Sequence, residues 1–176
     1  MSEPTPLLAP LKPRQIDARL WRRGTFVADE WSMIAADEPP PPGRLPIFPL
    51  ARWRQDGTAR AATGAPAGVW LPTGETLDAV ADDLAWIALV ALPFPKFSDG
   101  RSYSAARQLR EAGYAGEVRA FGDVLLDQIP LMLRAGFDSF LITDAATILA
   151  LERGPTAAVP DGVGCLRATR NNLSAR

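Results

Sequence analysis

The chain contains no histidine, and its single cysteine is Cys165. These two scarcities remove most familiar catalytic machinery. Ser-His-Asp and Cys-His catalysis both need an imidazole base. One thiol cannot hold an iron–sulfur cluster, which normally takes four thiolates, and it closes neither an internal disulfide nor a CxxC redox pair. Zinc sites are built chiefly from Cys and His, so a conventional one is excluded. Chemistry is left to carboxylates, Lys, Tyr, Arg, an oxygen-ligated metal or a bound cofactor, and no cofactor is specified by the residues.

An excess of one charge is missing too: 19 Lys and Arg stand against 20 Asp and Glu. Nucleic acid partners are selected by a basic excess or patch, so none is expected. The cluster Arg14, Arg19, Arg22 and Arg23 reads as a solvated surface. No apolar run is long enough to span a bilayer. The opening MSEPTPLLAPLKPR has early prolines and no continuous apolar core, which makes a poor signal peptide. A cytoplasmic protein without a membrane association is therefore expected. With 176 residues, of which 47% are apolar, the chain can bury one substantial core.

Along the chain, three stretches separate. Residues 1–43 read as a flexible arm and a small N-terminal cap ending in a proline-rich spacer. Pro4, Pro6, Pro10 and Pro13 oppose continuous helix. LWRRGTFVADEWSMI offers two short extended pieces, with Gly24 able to turn the first into a hairpin, and the four prolines Pro39–Pro42 favour a stiff spacer. Residues 44–153 read as an α/β domain, and residues 154–176 as a weakly structured tail in which Val163–Leu166 can form a short strand. Strands are expected near residues 45, 68, 88, 117 and 139. The one near 45 should lie at an edge because of Pro46 and Pro49. Leu77, Val80, Ala81 and Leu84 have helical spacing. A further helix follows the loop Pro93–Arg101, with Ser98, Asp99 or Ser102 as its cap, and carries Ala105, Leu109 and Ala112 in one stripe. Another begins at Asp123 as N-cap, with Leu125, Ile129 and Met132 inward, and Pro130 should kink it or lengthen its first turns. A last short helix follows Asp144.

Strands alternating with helices at this interval give consecutive βα units and a mainly parallel sheet. The fold class is α/β, partial (βα)-barrel-like, with a three-layer open sheet as the alternative and a small irregular or β N-terminal segment. The barrel-like order is preferred because polar loops fall on successive strand ends, where ligands sit in such folds. A closed eight-stranded barrel takes about 250 residues, more than this chain supplies.

The loop PFPKFSDGRSYS carries the densest polar chemistry. Ser98, Gly100, Arg101 and Ser102 lie at or before a helix start, where free N–H groups and the helix dipole favour an anion. Arg101 adds a planar fork and Lys96 a point charge. Phosphate, sulfate, sulfite or a carboxylate would fit. Alternatively, Asp99 caps the helix and pairs with Arg101 or Lys96, so that the loop satisfies itself. Lys96, Asp99 and Asp123 are the candidate catalytic residues. Asp123 and Asp144 at neighbouring strand ends can be N-caps, or can approach Mg²⁺ with Lys96 as acid or base; capping is the preferred reading, and no metal is assigned. Tyr103, Arg119, Gln128 and Asp144 are supporting polar positions, with Tyr103 also readable as plain packing.

The run F-P-K-F-S-D-G-R-S-Y-S, then G-E-V-R-A-F-G-D-V, D-Q and G-F-D, resembles a bacterial family with a domain of unknown function, commonly labelled as oxidoreductases involved in sulfite reduction. The resemblance covers about Gly68 to Phe140 and puts Lys96, Asp99, Arg101, Tyr103, Ser104, Arg119, Asp123 and Gln128 in matching positions. It implies a role in assimilatory sulfite or sulfate reduction, with sulfite reductase or its electron donor as partner. A chain with one cysteine and no dinucleotide fingerprint fits an accessory protein or adaptor better than the reductase itself. The alternatives are a small enzyme acting on an anionic substrate and a non-catalytic structural domain.

Overall fold

The computed structural model describes residues 18–61, 64–75, 77–96 and 98–154. The expected arm and the strand at Val163–Leu166 lie outside these residues. Eight strands form one sheet in the order β2-β1-β8-β7-β6-β5-β4-β3. They are β1 (Arg19–Arg22), β2 (Thr25–Val27), β3 (Trp31–Met33), β4 (Leu45–Pro49), β5 (Ala67–Trp70), β6 (Ile87–Phe94), β7 (Glu117–Gly122) and β8 (Ser139–Ile142). From β3 to β8 the strands are parallel and lie in sequence order. This is the order of a barrel wound by successive βα steps. Helices α1 (Leu50–Ala61), α2 (Arg101–Glu111), α3 (Ile129–Ala135) and α4 (Ala145–Glu152) follow β4, β6, β7 and β8.

The N-terminal segment belongs to this sheet. Arg23 and Gly24, with φ of 51° and 85°, make a two-residue turn with both central φ positive, which matches strand twist and brings Arg22 opposite Thr25. The resulting β1–β2 hairpin runs antiparallel to β8 through β1, and β3 adds to β4 at the other edge. Three strands thus come from a segment read as a small separate piece.

The sheet is curled. Edge strands β2 and β3 are joined by residues 28–30 alone. Four Cα steps reach at most about 15 Å, whereas the two edges of a flat eight-stranded sheet would lie about 34 Å apart. The edges must therefore turn toward each other, leaving an open seam between β2 and β3. The chain reaches eight strands at its modest length because several connections have no α-helix.

Alternation along the strands divides the core. Outward residues such as Phe48, Val69, Val90, Leu92, Val118, Ala120 and Phe140 pack with Trp53, Leu109, Ile129 and Met132 from the helices. The inward set holds Ile47, Leu89, Ala91 and Phe121, flanked by Trp31, Met33, Trp70 and Leu141. Leu89 and Ala91 are fully buried without a covering helix, as expected when a curled sheet closes over its own side chains.

Several expectations are corrected. β4 is not an edge strand, since it pairs with both β3 and β5. The bonds from Leu45 N to Glu30 O and from Ile34 N to Ile47 O turn the odd residues of β4 toward β3. Pro46 therefore faces β5 before the β4–β5 pairing begins at Ile47, and Pro49 faces β3 after the β3–β4 pairing ends there. Neither missing donor breaks a ladder bond. Pro93 is accommodated likewise in β6, facing the side where pairing with β5 ends at Ala91.

The helix read over Leu77–Leu84 is instead two 3₁₀ turns, Leu77–Ala79 and Ala81–Asp83. Val80, Asp83 and Trp86 each donate to the carbonyl three residues back; apolar spacing of three and four suits either helix type. Asp123 is not an N-cap: a 3₁₀ turn, Leu126–Gln128, with Leu125 at its N-cap position, precedes α3, and Gln128 stands at the N-cap position of α3. Pro130 does not kink α3: it lies in the first turn, where its missing N–H costs no helical bond. Gly136 ends α3 in the left-handed conformation, φ 108°.

Candidate functional site

The polar loop between β6 and α2 does reach the C-terminal ends of the strands. Gly100 stands at the N-cap position of α2 without a side-chain cap. The helix start is instead closed by Asp99. Its Oδ1 accepts from Arg101 N at 3.1 Å and Arg101 Nε at 3.0 Å, and its Oδ2 accepts from Arg101 Nη2 at 2.7 Å. One carboxylate is held by a backbone N–H and a guanidinium fork. These bonds hold the Asp99 carboxyl below the usual carboxylate range. Ser102 is buried, and its hydroxyl donates to Pro93 O at 2.6 Å, pinning α2 to the end of β6. Lys96, Ser98 and Gly100 are exposed.

Arg101 is open to solvent over 63% of its side chain. It overlooks a cleft of about 240 Å³ between the loop after β5 (Leu71–Glu75) and the start of α2, to which Ser102, Ser104 and Gln108 also contribute. Gly74, with φ 93°, brings the backbone under the guanidinium; a Cβ there would lie 3.5 Å from Nη1. Gly74 and its loop gave no chemical signal in the sequence beyond a turn.

The remaining strand-end residues group separately. Asp144 caps α4, its Oδ2 accepting from Thr147 N at 2.7 Å, which lowers its pKa. Thr147 Oγ1 accepts from Leu126 N, tying α4 to the turn after β7. Gln128 Oε1 accepts from Leu125 N at 3.3 Å and closes that turn. The backbone N of Asp123 donates to Phe94 O at 2.7 Å. Tyr103 packs edge-on against Phe94 and Phe137, centroids 5.3 and 6.3 Å away, and burial followed by the nearby Asp127 raises its pKa. Among the described residues no three His, Cys, Asp or Glu side chains gather as a metal-ligand set.

Arg119 lies elsewhere, inside the curled sheet on the N-terminal half of β7. It is 2% exposed and is held by two carboxylates, with Nη1 donating to Asp29 at 2.9 and 3.0 Å and Nη2 to Glu117 at 2.8 Å. Ser139 donates to Glu117 at 2.6 Å, and Arg22 lies 3.3 Å from its other oxygen. The sequence reading missed these partners. EVRAF carried the signal for one of them: residues two apart in a strand share a face, so Glu117 and Arg119 had to meet. Asp29, distant in sequence, left none.

A second cleft, about 410 Å³, is lined by Leu84, Ala85, Ile87 and residues 112–116 near the start of β6. Its one phenol, Tyr114, donates to Ile87 O, which leaves this cleft little chemistry.

Residues 68–157 match the family described as bacterial protein of unknown function (DUF934). The chain belongs to this family. The DUF934 match opens in β5 and includes Arg101, Arg119 and all the other candidate site residues, but neither Arg22 nor Asp29. Among curated proteins none matches the chain. No helix of the described residues is long and apolar enough to cross a membrane.

Proposed function

We propose that this protein is an accessory of assimilatory sulfite or sulfate reduction that holds a small oxyanion at the start of α2 and works beside sulfite reductase or its electron donor. The observation that carries the anion part is the grip on the Asp99 carboxylate. One backbone N–H and a solvent-open guanidinium already hold a two-oxygen anion there, beside a cleft large enough for a free one. The sulfur part rests on the family resemblance alone. A binding role is favoured over a small enzyme built on Lys96, Asp99 and Asp123, because Asp99 is engaged with Arg101 and Lys96 stands in solvent.

The test is thermal denaturation with sulfite, sulfate and phosphate, for the wild type and for Arg101→Ala. A contact to a charged group is worth roughly 1.5–3 kcal/mol, so stabilisation by one oxyanion that disappears in Arg101→Ala is the expected result. No stabilisation of the wild type by any of the three defeats the anion reading. Size-exclusion chromatography with sulfite reductase tests the partner, and separate elution with unchanged reductase turnover defeats that part.

A further inference from the structure

We propose that the Asp29–Arg119 ion pair is a latch on the seam of the curled sheet, and that its release opens the seam onto the apolar interior while the rest of the sheet stays folded. Asp29 is the middle residue of the link that carries the chain from one sheet edge, β2, to the other, β3. Arg119 stands on β7, well inside the sheet, and reaches across the interior to both oxygens of Asp29. The pair therefore ties the seam to the middle of the sheet. Asp29 also accepts from Trp31 N at 3.0 Å, so the same carboxylate sets the start of β3.

Three features make this contact a releasable tie. Arg119 remains matched by Glu117 when Asp29 leaves, so release does not strand a bare buried charge. Glu117 and Ser139 stand on adjacent central strands, and their mutual bond survives an open seam. The link itself remains fastened at the start of β4, because Leu45 N donates to Glu30 O and Arg44, just before the strand, donates to the carbonyls of Asp29 and Trp31, both at 2.7 Å. A swing of link and β3 away from β7 thus keeps its anchor, breaks the contact to Arg119 and lifts Trp31 and Met33 off the inward cluster. Behind that contact lie Trp31, Met33, Trp70 and Leu141, apolar and already only partly buried.

The experiment is native-state hydrogen exchange, read by mass spectrometry on the full chain, together with binding of the apolar dye anilinonaphthalene sulfonate. The variants are Asp29→Asn and Ser139→Ala. For Asp29→Asn, exchange in residues 26–34 should rise on the order of tenfold or more and dye fluorescence should increase, with residues 117–122 protected as in the wild type. Ser139→Ala removes bonds of the same cluster that do not cross the seam, and exchange in residues 26–34 should stay at the wild-type rate. Unchanged exchange in Asp29→Asn, an equal rise in 117–122, or the same seam effect from Ser139→Ala would each overturn the latch. Failure of Asp29→Asn to fold would make the pair a structural staple and overturn it as well.

Discussion

Two arginine–aspartate pairs of nearly equal length sit in different parts of this molecule. Arg119 meets Asp29 at 2.9 Å and Arg101 meets Asp99 at 2.7 Å. Inside the curl, the Arg119 side chain is 2% exposed and has a second carboxylate, Glu117; at the start of α2, Arg101 is 63% exposed and has one partner two residues away. Distance alone does not separate them. Solvent does: water can replace Asp99 at Arg101, while inside the sheet Arg119 depends on protein partners, with Glu117 still in place if Asp29 leaves. A buried ion pair adds little net stability when formed and a large loss when one member is removed, whereas an exposed pair contributes little in either direction. The first pair is thus a tie within the sheet, and the second is available to a ligand.

The largest effect expected from this contrast is in Arg119→Met. It leaves Glu117 and Asp29 without their shared cation, although Arg22 still lies near Glu117, and should lower stability by about 3 kcal/mol. Urea denaturation followed by circular dichroism measures it. A loss below about 1 kcal/mol would put Arg119 in the same energetic class as a surface pair and remove the contrast. Asp144→Ala comes next. It deletes the carboxylate that receives Thr147 N at the head of α4, and caps of this kind contribute about 1 kcal/mol. The same denaturation series reads it, and no loss would mean that α4 is held by packing alone. For Arg101→Ala the denaturation midpoint in the absence of added anion should move far less than in Arg119→Met, as for an exposed pair. A midpoint shift as large as that of Arg119→Met would mean that Arg101 is structural.

The parallel core was legible because its signals are local. Short apolar runs at 88, 117 and 139, each followed by a helical stripe and a stopping glycine or cap, correspond to β6–α2, β7–α3 and β8–α4. What escaped the sequence depends on curvature. Trp21, Phe26 and Trp31 are spaced for short strands, yet only the closing of the sheet decides that these strands lie at its two edges. Pro46 and Pro49 argued for an edge by a sound rule, and the rule was satisfied bond by bond rather than strand by strand. At the candidate site, the pairing of Asp99 with Arg101 was one of two legible outcomes, because residues two apart at a helix start meet whatever the fold. The burial of Arg119 was not legible, since one of its two carboxylates arrives from 90 residues away.

The smallest effect is the most selective test of the contrast. Arg101 holds the Asp99 carboxyl below its ordinary value of 3.8. A carboxyl lowered in the folded state contributes stability that is fully present above the ordinary value and is lost as pH falls through the folded one. Asp144 behaves the same way through Thr147. Acid should therefore remove both contributions below about pH 4. In Arg101→Ala only the Asp99 contribution can change, so its side-chain carbonyl titration, followed by carbon NMR, should move up toward the ordinary value while that of Asp144 stays where it is. If the Asp99 midpoint does not move, Arg101 does not grip the carboxylate in solution, and the guanidinium loses its claim to hold an oxyanion in the same place.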